Sequence, residues 1–197
     1  MRQRLALPVL VAVPPLLVGI VAVFHPPGLT VEDASEWKVI HIVLLFLFPL
    51  LVAGPVLVAR AVAPWLGWVV AVPAYLYATT YTALDVLAGI GGGALKEIES
   101  DGLGIILPVA GDFEEIGGIA FIAASALAAG IAMWRVGWLK GALPTLAVLA
   151  GAWLLREHHV FPPEGVIAMA LQLVGWVAFA WLLTAPTSKD VDRAVTR

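Results

Sequence analysis

"VIHIVLLFLFPLLVAGPVLVA", residues 39–59, decides the fold of this chain. The stretch contains no Asp, Glu, Lys or Arg, and its apolar side chains run on without alternating with polar ones. A bilayer core of about 30 Å is crossed by a helix of about 20 apolar residues. A membrane-spanning β-strand would instead alternate between apolar and polar side chains. The stretch therefore predicts a transmembrane α-helix.

Comparable apolar runs recur along the chain, which has 197 residues, 61% of them hydrophobic. Charged residues make up 13% of the chain, against about 25% in a typical soluble domain. The runs predict an all-α integral membrane protein, a bundle of six transmembrane helices. The predicted spans are 5–24, 39–59, 65–88, 116–134, 138–155 and 166–184. They form one transmembrane domain, 1–186, followed by a short cytoplasmic tail, 187–197.

Basic residues set the predicted orientation, because cytoplasmic loops carry an excess of Lys and Arg. With the N-terminus inside, eight basic residues face the cytoplasm and three face the other side. The eight are Arg2, Arg4, Arg60, Arg135, Lys140, Lys189, Arg193 and Arg197, and the three are Lys38, Lys96 and Arg156. Both termini are therefore predicted to be cytoplasmic, in a multi-pass protein of the cell membrane, specifically a bacterial inner membrane.

Acidic and histidine side chains have the opposite distribution. Under this topology, twelve of the fourteen acids and all four histidines lie on or near the outer face. The positive-inside tendency says little about acids and nothing about histidines. The outer face is thus predicted to form a vestibule rich in cation ligands. The candidate metal ligands are His25, His41, Asp85, Glu114, Glu115, His158 and His159.

Two of the candidate histidines lie in sequence motifs that also have a purely structural interpretation. His25 precedes Pro-Pro, and His159 stands shortly before a second Pro-Pro. Since proline disfavours helix in the residue before it, each motif is also typical of a helix stop with an interfacial histidine. In the same way, Asp112 and Glu115 have the spacing of a helix N-cap and its reciprocal acid.

The third predicted span carries a polar stripe. Tyr77, Tyr81 and Asp85 recur at i, i+4 and i+8, which places them on one face of a helix. Ionisable groups in membrane helices usually face the bundle interior or a wet cavity. If the protein is an enzyme, we expect Tyr77 and Tyr81 to position a lipidic or small-molecule substrate, and Asp85 or Glu115 to accept a proton in catalysis.

The chain has no cysteine, which excludes thiolate sites and leaves imidazole and carboxylate ligands. Such a set suits a divalent transition metal, namely Zn, Fe, Mn or Cu. The predicted function is metal binding and, if the protein is an enzyme, activation of water or dioxygen by the ion. A proton- or ion-coupled transporter remains an alternative. A haem b- or quinone-binding or accessory subunit of a membrane complex is another, with haem b ranked behind a metal ion.

The lipid bilayer is the expected partner, and a homo-oligomer or a complex with other subunits stays open. No basic patch with interleaved aromatic residues is present, so nucleic-acid binding is not expected. Residues 89–111 are predicted to be the longest loop, either a flexible connection or a lid over the vestibule.

The stretch "YTALDVLAGIGGG", residues 81–93, together with His41 near the start of the second span, resembles a family of uncharacterised polytopic bacterial membrane proteins. Those proteins carry a similar Tyr-Thr-Ala-x-Asp-x-x-Ala-Gly-Ile stretch. The resemblance implies a multi-pass helical fold over most of the chain, and it implies no activity.

Overall fold

The regular elements in residues 2–185, the part of the chain that the computed structural model describes, are all helical, without a β-strand. The helices are α1 Arg2–Val23, α2 Ala34–Leu47, α3 Ala53–Val62, α4 Pro64–Leu84, α5 Gly92–Glu97, α6 Leu103–Val136, α7 Trp138–His158 and α8 Glu164–Thr184. A 3-10 turn, Phe48–Val52, joins α2 to α3, and a π-helical segment, Asp85–Gly91, joins α4 to α5. The predicted tail, 187–197, lies outside the described residues.

Five helical stretches are long and apolar enough to cross a membrane, which indicates a multi-pass membrane protein. They are Leu5–Val23, Ala34–Val62, Leu103–Val136, Trp138–His158 and Glu164–Thr184. The predicted span 65–88 corresponds to α4 and the first residues of the π-helical segment. It is not among the five.

Small side chains hold the helices close together. Helix α8 packs between α1 and α7, while α6 packs between α4 and α7. Where α6 meets α4, a Cβ on Gly117 would lie only 2.6 Å from Oγ1 of Thr80. Further small buried residues on α6 are Gly118, Ala120, Ala124, Ala128, Ala129 and Ala132. Such residues let membrane helices approach closely and gain packing contacts.

The prediction of a long loop over residues 89–111 is wrong. The π-helical segment runs to Gly91, α5 ends at Glu97 and α6 begins at Leu103, so only residues 98–102 connect helices there. Glycine-rich sequence has a low helix propensity in water. Inside a bundle, however, the backbone hydrogen bonds must be satisfied within the protein, which favours helix.

The predicted cap at Asp112 is also wrong. Asp112 and Glu115 lie well inside α6, whose N-cap is Gly102. Consequently the predicted span 116–134 begins earlier, at Leu103, and Pro108 is accommodated within the helix. At 1.5 Å per residue, α6 is about 50 Å long, so it extends beyond a bilayer core of about 30 Å.

Candidate metal centre

Three buried histidines meet at one end of the bundle. His25 follows the last turn of α1, His41 lies in the second turn of α2, and His159 follows the last residue of α7. Their exposed fractions are 3%, 3% and 6%. One ring nitrogen from each lies within 4.8 Å of the other two. Two consecutive segments, with His25 and His41, and one distant segment, with His159, therefore bring their imidazoles together at a single place, the centre.

The backbone fixes the orientation of two of these rings. Nδ1 of His25 lies 2.8 Å from the carbonyl oxygen of Pro26, and Nδ1 of His41 lies 2.8 Å from that of Trp37. A carbonyl only accepts, so Nδ1 carries the proton and Nε2 keeps its lone pair. Nε2 of His25 is buried and has no hydrogen-bond partner. This arrangement of one nitrogen oriented by a carbonyl and the other free is typical of metal-binding histidines.

His159 is held in an unusual backbone conformation. It caps α7 with φ +50° and ψ −132°, in the region of positive φ that favours glycine. Such a conformation costs an L-residue about 1–3 kcal/mol and is often retained at functional sites. The turn directs the His159 ring into the protein, whereas the side chain of the preceding residue, His158, is exposed.

Burial disfavours the charged form of the two histidines that lie outside the membrane spans. It lowers the pKa of His25, because a low-dielectric interior disfavours the imidazolium, and the hydrogen bond to Pro26 offsets part of that effect. It lowers the pKa of His159 well below the usual value, and the nearby imidazoles of His41 and His25 lower it further. Neutral imidazole is the form that binds a metal ion.

The π-helical segment forms one wall of the centre. The Trp37 ring stacks on His41 with 4.8 Å between ring centroids, and its Nε1 donates to the carbonyl oxygen of Ala88 at 3.1 Å. Gly89 lies against the His41 ring, where a Cβ would overlap it. Single π turns inside helices occur frequently at functional sites. The segment predicted to be the start of a loop therefore supports His41.

Aromatic rings and one carboxylate surround the imidazoles. The rings of Phe161, Phe48 and Tyr81 lie with their centroids 4.7–5.8 Å from that of His25 or His159. A pocket of about 80 Å³ borders the centre. It is lined by Trp37, His41, Leu84, Ala88, Glu114, His159 and Phe161. Glu114 is the acid in this lining, and its Oε1 lies 3.9 Å from Nδ1 of His159.

Two other predicted ligands lie away from the three histidines. His158 is exposed at the end of α7. Glu115 is exposed too, and its Oε1 accepts a hydrogen bond from Nη2 of Arg156 at 2.6 Å, while Arg156 also pairs with Glu157. Glu115 is part of a polar network at the surface, and His158 faces solvent. Neither side chain joins the buried group of His25, His41 and His159.

The polar stripe of α4 is buried within the protein. Asp85 has an exposed fraction of 0%, and neither of its carboxyl oxygens has a hydrogen-bond partner. Tyr77 and Tyr81 are fully buried, the hydroxyl of Tyr77 has no partner, and that of Tyr81 lies 3.5 Å from the carbonyl oxygen of Leu155. These tyrosines thus face the bundle interior, and only the Tyr81 ring contacts the centre, through His159.

Sequence reasoning missed the residues that support the centre. Trp37, Gly89 and Phe161 were not predicted to support it. The i, i+4 spacing of Trp37 and His41 was an available signal, because such residues lie on one face of a helix. The π-helical turn that brings Gly89 against His41 has no comparable sequence signal.

No family model, curated protein or solved structure matches this chain. The resemblance noted in residues 81–93 stays a prediction.

Proposed function

We propose that this chain is an integral membrane protein that binds one divalent transition-metal ion through His25, His41 and His159. The observation that carries the proposal is the convergence of three buried imidazole nitrogens within 4.8 Å of one another. The hydrogen bonds from Nδ1 of His25 and His41 to backbone carbonyls strengthen it, since they leave Nε2 free as a ligand.

The ligand set favours particular ions. Imidazole suits Zn, Cu and Fe, whereas Mn prefers carboxylate and water oxygens. In a tetrahedral zinc site with Zn–N distances of about 2.0 Å, ligand nitrogens are about 3.3 Å apart. Because 4.8 Å is the upper limit of the nitrogen separations, the rings would move inward by at most about 1 Å to hold such an ion. Zinc, copper or iron is the expected occupant.

Three protein ligands leave a fourth position for water, as in catalytic rather than structural zinc sites. A bound ion lowers the pKa of such a water and supplies hydroxide near neutral pH. The adjoining pocket of about 80 Å³ is well below the roughly 300–1,000 Å³ typical of organic-ligand sites. It accommodates water or another small molecule more readily than a haem or a quinone. A metal-activated small molecule is thus the supported chemistry.

We further propose that six helices cross the membrane, with α4 as the sixth. The continuous stretch Ala34–Val62 leads away from His41 to the opposite end of the bundle. Helix α4 starts at Pro64 and must return, because the π-helical segment after it lies against His41. Its 21 residues span about 31 Å. The excess of basic residues at the other end, five against three among residues 2–185, supports cytoplasmic termini and a centre near the outer face.

A proton- or ion-coupled transporter is the second candidate. Asp85, buried with both carboxyl oxygens unpartnered, favours it, because such groups in membrane helices often mark ion or proton pathways. Metal uptake by vesicles containing the purified protein would separate the two candidates. Uptake abolished by Asp85→Asn, with ion binding retained, would favour the transporter.

The first test is the metal content and affinity of detergent-purified protein, by elemental analysis and competition with a chromophoric chelator. We expect one ion per chain in the wild type. His41→Ala should weaken binding more than about a hundredfold, since loss of an outer partner alone costs 10–100-fold. His158→Ala, which removes the exposed neighbouring imidazole, is the matched control and should bind like the wild type. Absence of stoichiometric metal, or equal losses in both variants, would overturn the proposal.

A further inference from the structure

The third imidazole lacks the backbone partner that orients the other two. His25 and His41 each direct Nδ1 to a carbonyl oxygen at 2.8 Å. Nδ1 of His159 is buried without a hydrogen-bond partner. The polar atom that faces it is Oε1 of Glu114, at 3.9 Å. If His159 presents Nε2 to the ion as the others do, its Nδ1 proton points toward this carboxylate.

The two adjacent acids of α6 have different environments. Glu114 is half-buried and lines the pocket beside His41 and His159. Glu115 is exposed and bonded to Arg156 at 2.6 Å. Successive residues on a helix point about 100° apart, so one of the pair turns inward. Glu115 thus matches Glu114 in charge and position along the helix, without its contact with the centre.

The carboxylate of Glu114 would also offset the positive charge of a bound ion. Three neutral imidazoles leave the full double charge of a divalent ion in a buried environment, where uncompensated charge is costly. Glu114 borders the centre, yet its oxygens do not join the three nitrogens that lie within 4.8 Å of one another, the metal-ligand group found in residues 2–185. This placement suits a hydrogen-bonding partner of a ligand better than a fourth ligand.

We propose that Glu114 is a positioning residue that accepts the Nδ1 proton of His159, fixes its tautomer and directs Nε2 to the ion. The proposal rests on the proposed metal-binding function. It assigns Glu114 as the carboxylate that hydrogen-bonds to a metal-binding histidine without binding the ion itself. A movement of the Glu114 side chain toward the ring by about 1 Å would shorten the 3.9 Å between Nδ1 and Oε1 to a hydrogen-bond distance of about 3 Å. The proton stays on Nδ1, so binding through His159 releases none from this ring.

The test compares Glu114→Ala and Glu114→Gln with the control Glu115→Gln, using Co²⁺ titrations of the purified full-length protein. We expect Glu114→Ala to weaken affinity about 10–100-fold, in line with other outer partners of metal-bound histidines. Glu114→Gln, which keeps an acceptor oxygen but loses the charge, should fall between Glu114→Ala and the wild type. Glu115→Gln should bind like the wild type.

The visible absorption bands of bound Co²⁺ separate positioning from ligation. If Glu114 acts through His159, the bands keep their positions in Glu114→Gln although binding weakens. A change of bands that indicates the loss of a ligand would make Glu114 a direct ligand and overturn the proposal. Equal affinities in Glu114→Gln and Glu115→Gln would overturn it as well.

A metal-free measurement keeps this inference separate from the proposed function. Nitrogen NMR of protein labelled at its histidines reports which ring nitrogen of His159 carries the proton. We expect the Nδ1–H tautomer in the wild type and a mixture in Glu114→Ala. An Nε2–H tautomer in the wild type, or no change in the variant, would refute the role of Glu114 even if the ion binds. Failure of the wild type to bind any ion would instead refute the metal site itself.

Discussion

The adjacent histidines at the end of α7 differ in backbone conformation, and that difference decides which of them reaches the centre. His158 is the last helical residue and is exposed, whereas His159 has φ +50° and is buried. The order of residues alone does not distinguish His158 from His159 as a metal ligand. The distinction arises from the turn that follows, where Val160 packs directly against Gly165.

Substitution by glycine should affect the two positions in opposite directions. In metal-free protein, His159→Gly should be more stable than His159→Ala by about 1 kcal/mol, because glycine adopts positive φ without the steric cost of a Cβ. At position 158, inside the helix, Gly should be less stable than Ala by up to about 1 kcal/mol. Thermal unfolding midpoints in detergent would show both differences. A glycine variant at 159 less stable than its alanine counterpart would argue against the strained turn.

The order of residues also does not show which of the two adjacent acids of α6 faces inward. The sequence placed Glu114 and Glu115 together as ligands, and both are at the correct end of the bundle. Which of them faces inward depends on how α6 is rotated between α4 and α7, and that rotation is set by packing at Gly117 and Gly118. Composition and spacing therefore predict the candidate set, whereas the packed helices select from it.

At the scale of elements, sequence patterns locate the long apolar helices well and their ends poorly. The second predicted span falls within the helical stretch Ala34–Val62, and the last corresponds closely to α8. Residues 89–111 were predicted to be a loop, yet the helical segments continue to Glu97 and resume at Leu103. Close approach to the ring of His41 explains a glycine at position 89 better than chain flexibility does.

The π-helical segment can be tested at Gly89. A methyl group there would overlap the ring of His41, so we expect Gly89→Ala to cost about 1–3 kcal/mol of stability, the usual effect of overpacking. It should also weaken metal binding, since His41 must shift. Unfolding midpoints and ion titrations would measure the two effects together.

Gly111→Ala is the matched control for that substitution. Gly111 lies in α6, where a Cβ would meet nothing within 4 Å. Its replacement by alanine should leave metal affinity unchanged and slightly raise stability through helix propensity. If Gly89→Ala behaves like Gly111→Ala, the segment does not press on His41 as described.

At the scale of the whole molecule, the position of the centre follows from the direction of each span and from the packing of the helices. In the proposed six-span topology, successive spans alternate in direction, so the end of α1, the start of α2, the end of α4 and the end of α7 meet on one side. Alternation was predictable from the positions of the apolar runs, and it brought all four histidines to that side. Convergence of three of them within 4.8 Å depends on how α1, α2 and α7 are arranged around their neighbours, with α8 between α1 and α7, and hydropathy does not encode that arrangement.

The orientation of the bundle in the membrane can be tested by labelling single introduced cysteines, because the chain has no cysteine of its own. A single cysteine in place of His158 or of Lys140 marks the two ends of α7, and both positions are exposed. Lys140→Cys lowers the cytoplasmic count of basic residues by only one, so the orientation should persist. A membrane-impermeant maleimide applied to intact cells should label His158→Cys and spare Lys140→Cys until the membrane is permeabilised. The reverse pattern would place the metal centre at the cytoplasmic face, and equal labelling at both positions in intact cells would mean that α7 does not cross the membrane.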